Sequence, residues 1–481
     1  GPRSFRRPRD RDRNGEIFDA ATFPPISRPA RQNSTGSSCH QHMLAGAGRR
    51  SGHDVRVVDL NALWIRQHLS GEALHEPRRF IGDHDRPSAL SVLHSSFTRE
   101  MGLDRPRETH DDVMMAARCL AGGPFGVWIR DQLSAATEPQ LVGLSVMYRD
   151  QVEPALAITI VARRLWPNAS IIWGGAHVTA LCGDIAEDPR YGCSRLISGF
   201  VFGYAERTWC DLLDAVRARR LPDEVAKAGN GTWLPALEDG SVEPAFDDLS
   251  LYDRARLTIP TQCARGCSYG KCRFCTYPSI EGKWRTLPIE PVRSVVHEAI
   301  RRGAAISFKD SLLDLDVLDR AAGMIEGRVP WSACTKLSAR LDLDRLKRLA
   351  DGGLATLEIG LETLDANAQA GIWKKQPEKT FVRFLNSAEV AGIAVIVNYM
   401  TGLPHADVLN EELCKAAVEG ELAKRPSLVS KLEHNVFQLE RRSPMGLAPE
   451  HHGIRVTRRL PWSSVMEWES SPRLVPLRRK N

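Results

Sequence analysis

Four of the eleven cysteines in this 481-residue chain fall within fifteen residues, Thr261-Gln-Cys-Ala-Arg-Gly-Cys-Ser-Tyr-Gly-Lys-Cys-Arg-Phe-Cys275. Thiolates at this density, beside two glycines, point to a metal site on an open loop. Sulfur-rich sites suit zinc or an iron–sulfur cluster. A closed zinc site would use all four of Cys263, Cys267, Cys272 and Cys275. An open cluster would use three and leave one iron free for a substrate. Three cysteines on one tight loop fit a face of a cubane better, because structural zinc usually draws its pairs from segments farther apart. Phe274, just before the last cysteine, is placed to shield a cluster from solvent.

The rest of the chain is long enough for two or three domains. It is 42% hydrophobic and 26% charged, the balance of a soluble globular protein. It has no apolar run of 18 residues, so no membrane span is expected. The N-terminal residues lack the charged-then-apolar pattern of an export signal. A reducing, cytoplasmic setting follows, in which clustered cysteines mean metal or catalysis before disulfides. The net charge of +6 is local: residues 1–14 hold six arginines and two aspartates. A basic arm of this kind is not the folded basic surface of a nucleic-acid-binding domain, and no nucleic-acid partner is expected.

Residues 1–40 read as a disordered basic arm, with a weak strand signal over Glu16–Pro25. Residues 41–220 read as a first domain. Val55–Val58 is a buried strand, and residues 65–139 have a mainly helical pattern. Leu141–Val146, a helix over Pro154–Trp166 and Ser170–Trp173 form a strand–helix–strand unit with short connections. That implies a parallel pair with a right-handed crossover. Such sheets bind ligands at their carboxyl ends, which marks Ser145–Tyr148 and Gly174–His177. Residues 221–256 read as a linker rich in Pro, Gly, Asn and Asp. From 257 to 440, six strands alternate with helices, the first strand running straight into the cysteine loop. One of the helices, Ile289–Ile300, carries an apolar stripe at Val292, Val295, Val296, Ala299 and Ile300. Six such repeats suit a barrel or partial barrel with its active site at the strands' C-terminal ends. Residues 441–481 show little periodicity and read as a tail.

The run Thr-x-x-x-Arg-Gly-Cys-x-Tyr followed by Cys-x-Phe-Cys, opening a six-repeat strand–helix domain, resembles the radical SAM superfamily. Ser307–Asp310, Leu337–Arg340, Leu357–Thr363 and Asn398–Pro404 look like that family's strand-end segments. The resemblance implies a [4Fe-4S] cluster on Cys267, Cys272 and Cys275, with S-adenosylmethionine on the fourth iron. It also implies that Glu362, Arg340 and Asn398 help to seat S-adenosylmethionine. The spacing departs from the family: here it is Cys-x4-Cys-x2-Cys, where three residues are usual in the first gap. Cys263 is therefore an alternative ligand. Ahead of this domain, Ser51–Asn61, Val142–Val146, Ile171–His177 and Gly203–Thr208 resemble the cobalamin-binding domain of one large radical SAM class. Small residues at strand ends let a bulky corrin approach the backbone, and Gly143, Ser145, Gly174 and Gly175 are such residues. The Asp-x-His-x-x-Gly motif that supplies a cobalt ligand elsewhere is absent, and His53 and His177 read as turn or surface histidines.

The expected fold is α/β: an N-terminal doubly wound (Rossmann-like) cobalamin-binding domain followed by a (β/α)6 partial TIM barrel. The resemblance implies a cobalamin-dependent radical SAM enzyme. Its most common activity is C-methylation of an unactivated carbon through a 5′-deoxyadenosyl radical and methylcobalamin. The substrate would be a small molecule or a peptide, and the electron donor a flavodoxin or ferredoxin. Two alternatives remain open at this stage. One is a non-methylating cyclase or ring-rearranging enzyme, and the other a non-catalytic metal- or corrinoid-binding protein. The ligand assignment makes a direct prediction. After anaerobic reconstitution, Cys267→Ala loses the cluster and Cys263→Ala keeps it, as measured by iron and sulfide content. The reverse pattern would show that the ligands are misassigned.

Overall fold

The computed structural model describes residues 15–19, 39–68, 107–193, 195–218, 243–247, 249, 257–404 and 406–471. The N-terminal unit is a five-stranded sheet of β1 (Gly15–Asp19), β2 (Val55–Asp59), β3 (Leu141–Ser145), β4 (Ser170–Gly174) and β5 (Gly199–Phe200). All pairings are parallel, and the order is β2-β1-β3-β4-β5. Burial explains the apolar runs: Leu141, Val142 and Leu144 on β3 and Ile171, Ile172 and Trp173 on β4 are all buried. The helix Val152–Leu165 is buried from Val152 through Ala162, which is why its sequence is apolar on every side.

Three boundaries differ from the sequence reading. The expected arm 1–40 supplies β1, which lies between β2 and β3, second from the edge of the sheet. Composition hid it, because only five residues have to pair and polar sequence surrounds them. The remainder of that arm lies outside the described residues. Within the expected linker 221–256, residues 243–247 are docked on the sheet. Asp247 accepts the Val57 amide at 2.9 Å, and the Ala245 amide donates to His42 at 2.8 Å.

The expected tail 441–481 is the third correction. Its described part, to residue 471, supplies β15 (Ile454–Arg459) and β16 (Val465–Ser470), which form an antiparallel sheet with β14 (Leu439–Glu440) in the order β14-β16-β15, and residues 472–481 lie outside the described residues. Between these strands the chain inserts Trp462, fully buried, into the N-terminal core. There its ring meets Tyr191 at 4.7 Å and Trp173 at 5.5 Å. One tryptophan carries that docking, so no periodicity announces it.

The second unit is the expected partial barrel. Its six strands are β6 (Thr258–Thr261), β9 (Ala305–Phe308), β10 (Trp331–Thr335), β11 (Leu354–Glu362), β12 (Ala394–Thr401) and β13 (Ser430–Val436). All are parallel and pair in sequence order. The helices on its outer face bury the stripes that the sequence displays, Val292, Val295, Val296 and Ala299 among them. A two-stranded hairpin, β7 (Ala264–Arg265) with β8 (Arg285–Thr286), closes the base of the cysteine loop.

His177 and Trp462 join the N-terminal sheet to the C-terminal segment, with His177 Nε2 2.8 Å from the Trp462 carbonyl. Since a carbonyl only accepts, Nε2 carries the proton and donates. Burial pushes the imidazole down to about 4, against the weaker upward pull of that hydrogen bond. At His177 the folded state thus binds fewer protons than the unfolded chain between about pH 6.5 and 4, so this residue's contribution to stability falls as the pH falls through this window. By pH 4.5 the expected loss of that contribution is about 2.5 kcal/mol. Buried Asp310, raised to about 7, acts with the opposite sign over the same range, so the stability difference between the parent and His177→Gln, measured by denaturant unfolding at pH 7 and at pH 4.5, isolates the histidine.

Candidate active site

The carboxyl ends of both parallel sheets face one cavity of about 990 Å³. That is the upper end of the usual size for small-molecule sites. Gly143, Ser145, Gly174, Gly175 and His177 line it from the N-terminal sheet. Phe274, Cys275, Asp310, Cys334, Glu358, Glu362 and Asn398 line it from the barrel, and Ser463–Val465 from the C-terminal segment.

The cysteine loop is held at several points. The Asp310 carboxylate accepts the backbone amides of Cys263, at 3.0 Å, and Ala264, at 2.5 Å, so it anchors the loop's first turn and caps no helix. Burial nevertheless pushes this carboxyl up to about 7. Glu281 accepts the Gly266 amide at 2.9 Å. The Arg273 amide donates to Ile372, the Arg273 carbonyl accepts from Met445, and the Arg273 guanidinium lies 4.3 Å from the Trp373 ring centroid. The extra residue of the first gap is taken up by a turn in which Gly270 has a φ of +54°. That left-handed turn brings the Gly270 amide to 3.4 Å from Cys267 Sγ. The Tyr269 hydroxyl donates to the Trp373 carbonyl, and the Lys336 ammonium sits 3.5 Å from the Tyr269 ring centroid.

Cys267, Cys272 and Cys275 stand on this one loop, and both Cys272 and Cys275 feel the charge of Cys267. Burial pushes Cys275 up to about 12 and Cys272 up to about 11. Metal coordination reverses that preference by stabilising thiolates. Cys263 lies elsewhere, buried in the barrel's own hydrophobic core. Among the described residues, no three His, Cys, Asp or Glu groups converge as a single metal ion would require.

Glu362 sits at the end of β11 with a φ of +67°, a left-handed conformation that costs a non-glycine residue about 1 kcal/mol or more. The β11–β12 register shifts at this point, between Gly360 and Glu362. The Lys374 ammonium holds the Glu362 carboxylate at 2.8 Å. A side chain at Gly360 would collide with both charged groups. Burial pulls Lys374 down, but Glu362 outweighs it and raises the ammonium above its ordinary value. Asn398 is buried and donates to Glu358 at 2.6 Å across β11 and β12.

Arg340 stands apart from these groups. It is exposed, does not line the cavity, and is 3.6 Å from Asp316, itself exposed. The four small residues of the N-terminal sheet all reach the cavity, but Gly175 has a local reason to be glycine. Its φ is +106°, and a Cβ there would strike the Val146 carbonyl. His53 and His177 are both buried, not surface groups. His53 pairs with Asp214 at 3.1 Å, and His177 is committed to Trp462.

The sequence reading missed the junction between the two sheets. Arg265, two residues before Cys267, pairs with Glu206, which opens the helix Glu206–Arg217; both side chains are 4% exposed. The second guanidinium nitrogen lies 3.3 Å from the other carboxylate oxygen. The same guanidinium stacks 3.8 Å over the Tyr204 ring. Both residues stood inside quoted motifs, Gly-x-x-Glu and Arg-Gly-Cys, but nothing in a linear sequence pairs residues 59 positions apart.

Residues 261–414 match the profile of the Radical SAM superfamily. Those residues are similar to a radical SAM domain. Beyond them, the fold of the chain is similar to solved structures of cobalamin-dependent radical SAM enzymes. One is the radical S-adenosylmethionine methyltransferase TsrM from Kitasatospora setae, with cobalamin and a [4Fe-4S] cluster bound. The identity is 15%, the TM-score 0.62, and the match covers 93% of this chain and 81% of TsrM. A second TsrM structure, with tryptophan substrate and a SAM analogue, matches at 15% identity and TM-score 0.61, covering 92% of this chain and 78% of that one. OxsB, a cobalamin-dependent S-adenosylmethionine radical enzyme with aqua-cobalamin and S-adenosylmethionine bound, matches at 12% identity and TM-score 0.59. That match covers 95% of this chain and 64% of OxsB. No curated protein matches the chain in sequence. The fold around residues 261–414 is therefore similar to that of these solved structures.

The junction carries a prediction. Glu206→Gln leaves the Arg265 charge buried without its counter-ion, at an expected cost of about 3–5 kcal/mol. Arg340→Ala, on the exposed surface, should cost less than about 0.5 kcal/mol. Guanidinium unfolding of both variants beside the parent compares them, and equal costs would refute the junction's importance.

Proposed function

We propose that this protein is a cobalamin-dependent radical SAM enzyme that methylates an unactivated carbon of a small molecule or peptide. One observation carries the reading: a single cavity is lined both by the strand ends of the N-terminal sheet and by Cys275 with the strand ends of the barrel. In this reading Cys267, Cys272 and Cys275 hold a [4Fe-4S] cluster. Glu362, fixed by Lys374, and Asn398, fixed by Glu358, seat S-adenosylmethionine. Gly143, Ser145, Gly174 and Gly175 back a corrin ring. Arg340 is left out of the set because it is exposed and outside the cavity. Bound together, these cofactors supply one-electron cleavage of S-adenosylmethionine and a transferable methyl group. The protein's own part is alignment and exclusion of water. The Arg265–Glu206 pair fixes the two halves of the cavity, and Phe274 covers the cluster loop from the barrel side.

A flavodoxin or ferredoxin in the cytoplasm suits the reducing chemistry. Among the described residues no helix is long and apolar enough to cross a membrane. TsrM, the methyltransferase similar in fold, binds tryptophan as substrate, which supports a small-molecule substrate here. OxsB, also similar in fold, is a cobalamin-dependent S-adenosylmethionine radical enzyme, and a non-methylating cyclisation or ring rearrangement is the second reading.

Anaerobic reconstitution with iron and sulfide, then methylcobalamin and methyl-labelled S-adenosylmethionine, tests the proposal against candidate substrates. S-adenosylhomocysteine and 5′-deoxyadenosine should accumulate together. Turnover without S-adenosylhomocysteine would exclude methyl transfer. Failure to form a cluster would leave a non-catalytic metal- or corrinoid-binding protein.

A further inference from the structure

Gln41 is the one lining residue of the cavity that is fully buried with both polar atoms of its side chain unpartnered among the described residues. It projects from the first turn of the helix Cys39–Arg50, which packs beside β2. Polar groups near it are at least partly engaged, although His42 Nε2 is also without a partner among the described residues. His42 Nδ1 is 2.8 Å from the Ala245 carbonyl, and the Asp59 carboxylate, also on the cavity, accepts the Ala62 amide at 2.8 Å. A buried amide with neither its N–H nor its oxygen engaged is destabilising, and such groups are rare unless something else completes them.

The chemistry of the missing partner is narrow. Nε2 is left to donate and Oε1 to accept. A phosphate or carboxylate accepts only and serves Nε2 alone, and a hydroxyl donates and accepts through a single oxygen, so it offers no pair of parallel bonds. A primary amide does both, in a reciprocal pair. Corrinoids carry primary amides around their rim. Resting on the cobalamin reading above, we infer that Gln41 is a specificity-determining residue that pairs with a side-chain amide of the corrinoid. In this inference the apo protein is less stable so that the corrinoid is bound more tightly.

The test is Gln41→Leu, which keeps the size and the helix propensity and removes both polar atoms. Without corrinoid, the variant should melt at or above the parent, by up to about 2–4 °C. Titrated with aquacobalamin and followed by the corrin absorption spectrum, it should bind about tenfold to a hundredfold more weakly than the parent. With the side-chain monocarboxylic acids of cobalamin, the parent should reject at least one about tenfold, and the variant should discriminate among none. Unchanged aquacobalamin affinity in the variant overturns the inference. So does weaker binding joined to a lower apo melting temperature, which would make Gln41 an ordinary structural residue. Equal binding of every monocarboxylate by the parent overturns the amide pairing. A parent that binds no aquacobalamin overturns the cobalamin reading itself, and the inference with it.

Discussion

A buried ion pair sets the geometry on which everything else in this protein depends. Arg265 and Glu206 meet where the two parallel sheets turn their carboxyl ends toward each other. A desolvated pair of this kind adds little net stability, but it tolerates few alternative placements. Arg265 opens the cysteine loop and Glu206 opens a helix of the N-terminal domain, so fixing one relative to the other fixes the cluster loop relative to the strand ends opposite. Tyr204 adds a flat face to the guanidinium and narrows the placement further. The cavity between the sheets is the consequence.

Around that junction the protein keeps several polar groups in costly states. Glu362 holds a left-handed backbone, Lys374 keeps its charge out of water, and Gln41 lacks partners on both sides of its amide among the described residues. Each lies on the cavity or pairs with a group that does. Strain and unmet hydrogen bonds gather where a structure must meet ligands, because groups satisfied internally have nothing left to offer. The strands and helices of the two cores bury the stripes that the sequence displays.

Much of the architecture was legible because it is periodic. Each barrel strand is a short apolar run, each helix a 3.6-residue stripe, and turns separate them. The cysteine loop was legible because its chemistry is local: three thiols within nine residues share a site however the rest of the chain runs. What escaped was aperiodic or long-range. The strand Gly15–Asp19 lies within an arm of polar composition. Trp462 docks a segment without a pattern. Arg340 stood in a family-like segment, yet its side chain points to solvent and pairs weakly with Asp316. His53 and His177 carried no mark of burial, since a histidine's environment is set by elements remote in sequence.

The sequence by itself determined the two α/β units, their order and the three cysteines of the loop, because hydrophobic period and ligand spacing act over a few residues. It also exposed the extra residue after Cys267. Only the tertiary structure decided that Cys263 belongs to the barrel core, since burial is a property of packing. Only it showed that a left-handed turn at Gly270 takes up the extra residue. It alone joined Arg265 to Glu206 and enclosed both sheet edges around one cavity, because desolvating a charge pair requires both domains at once.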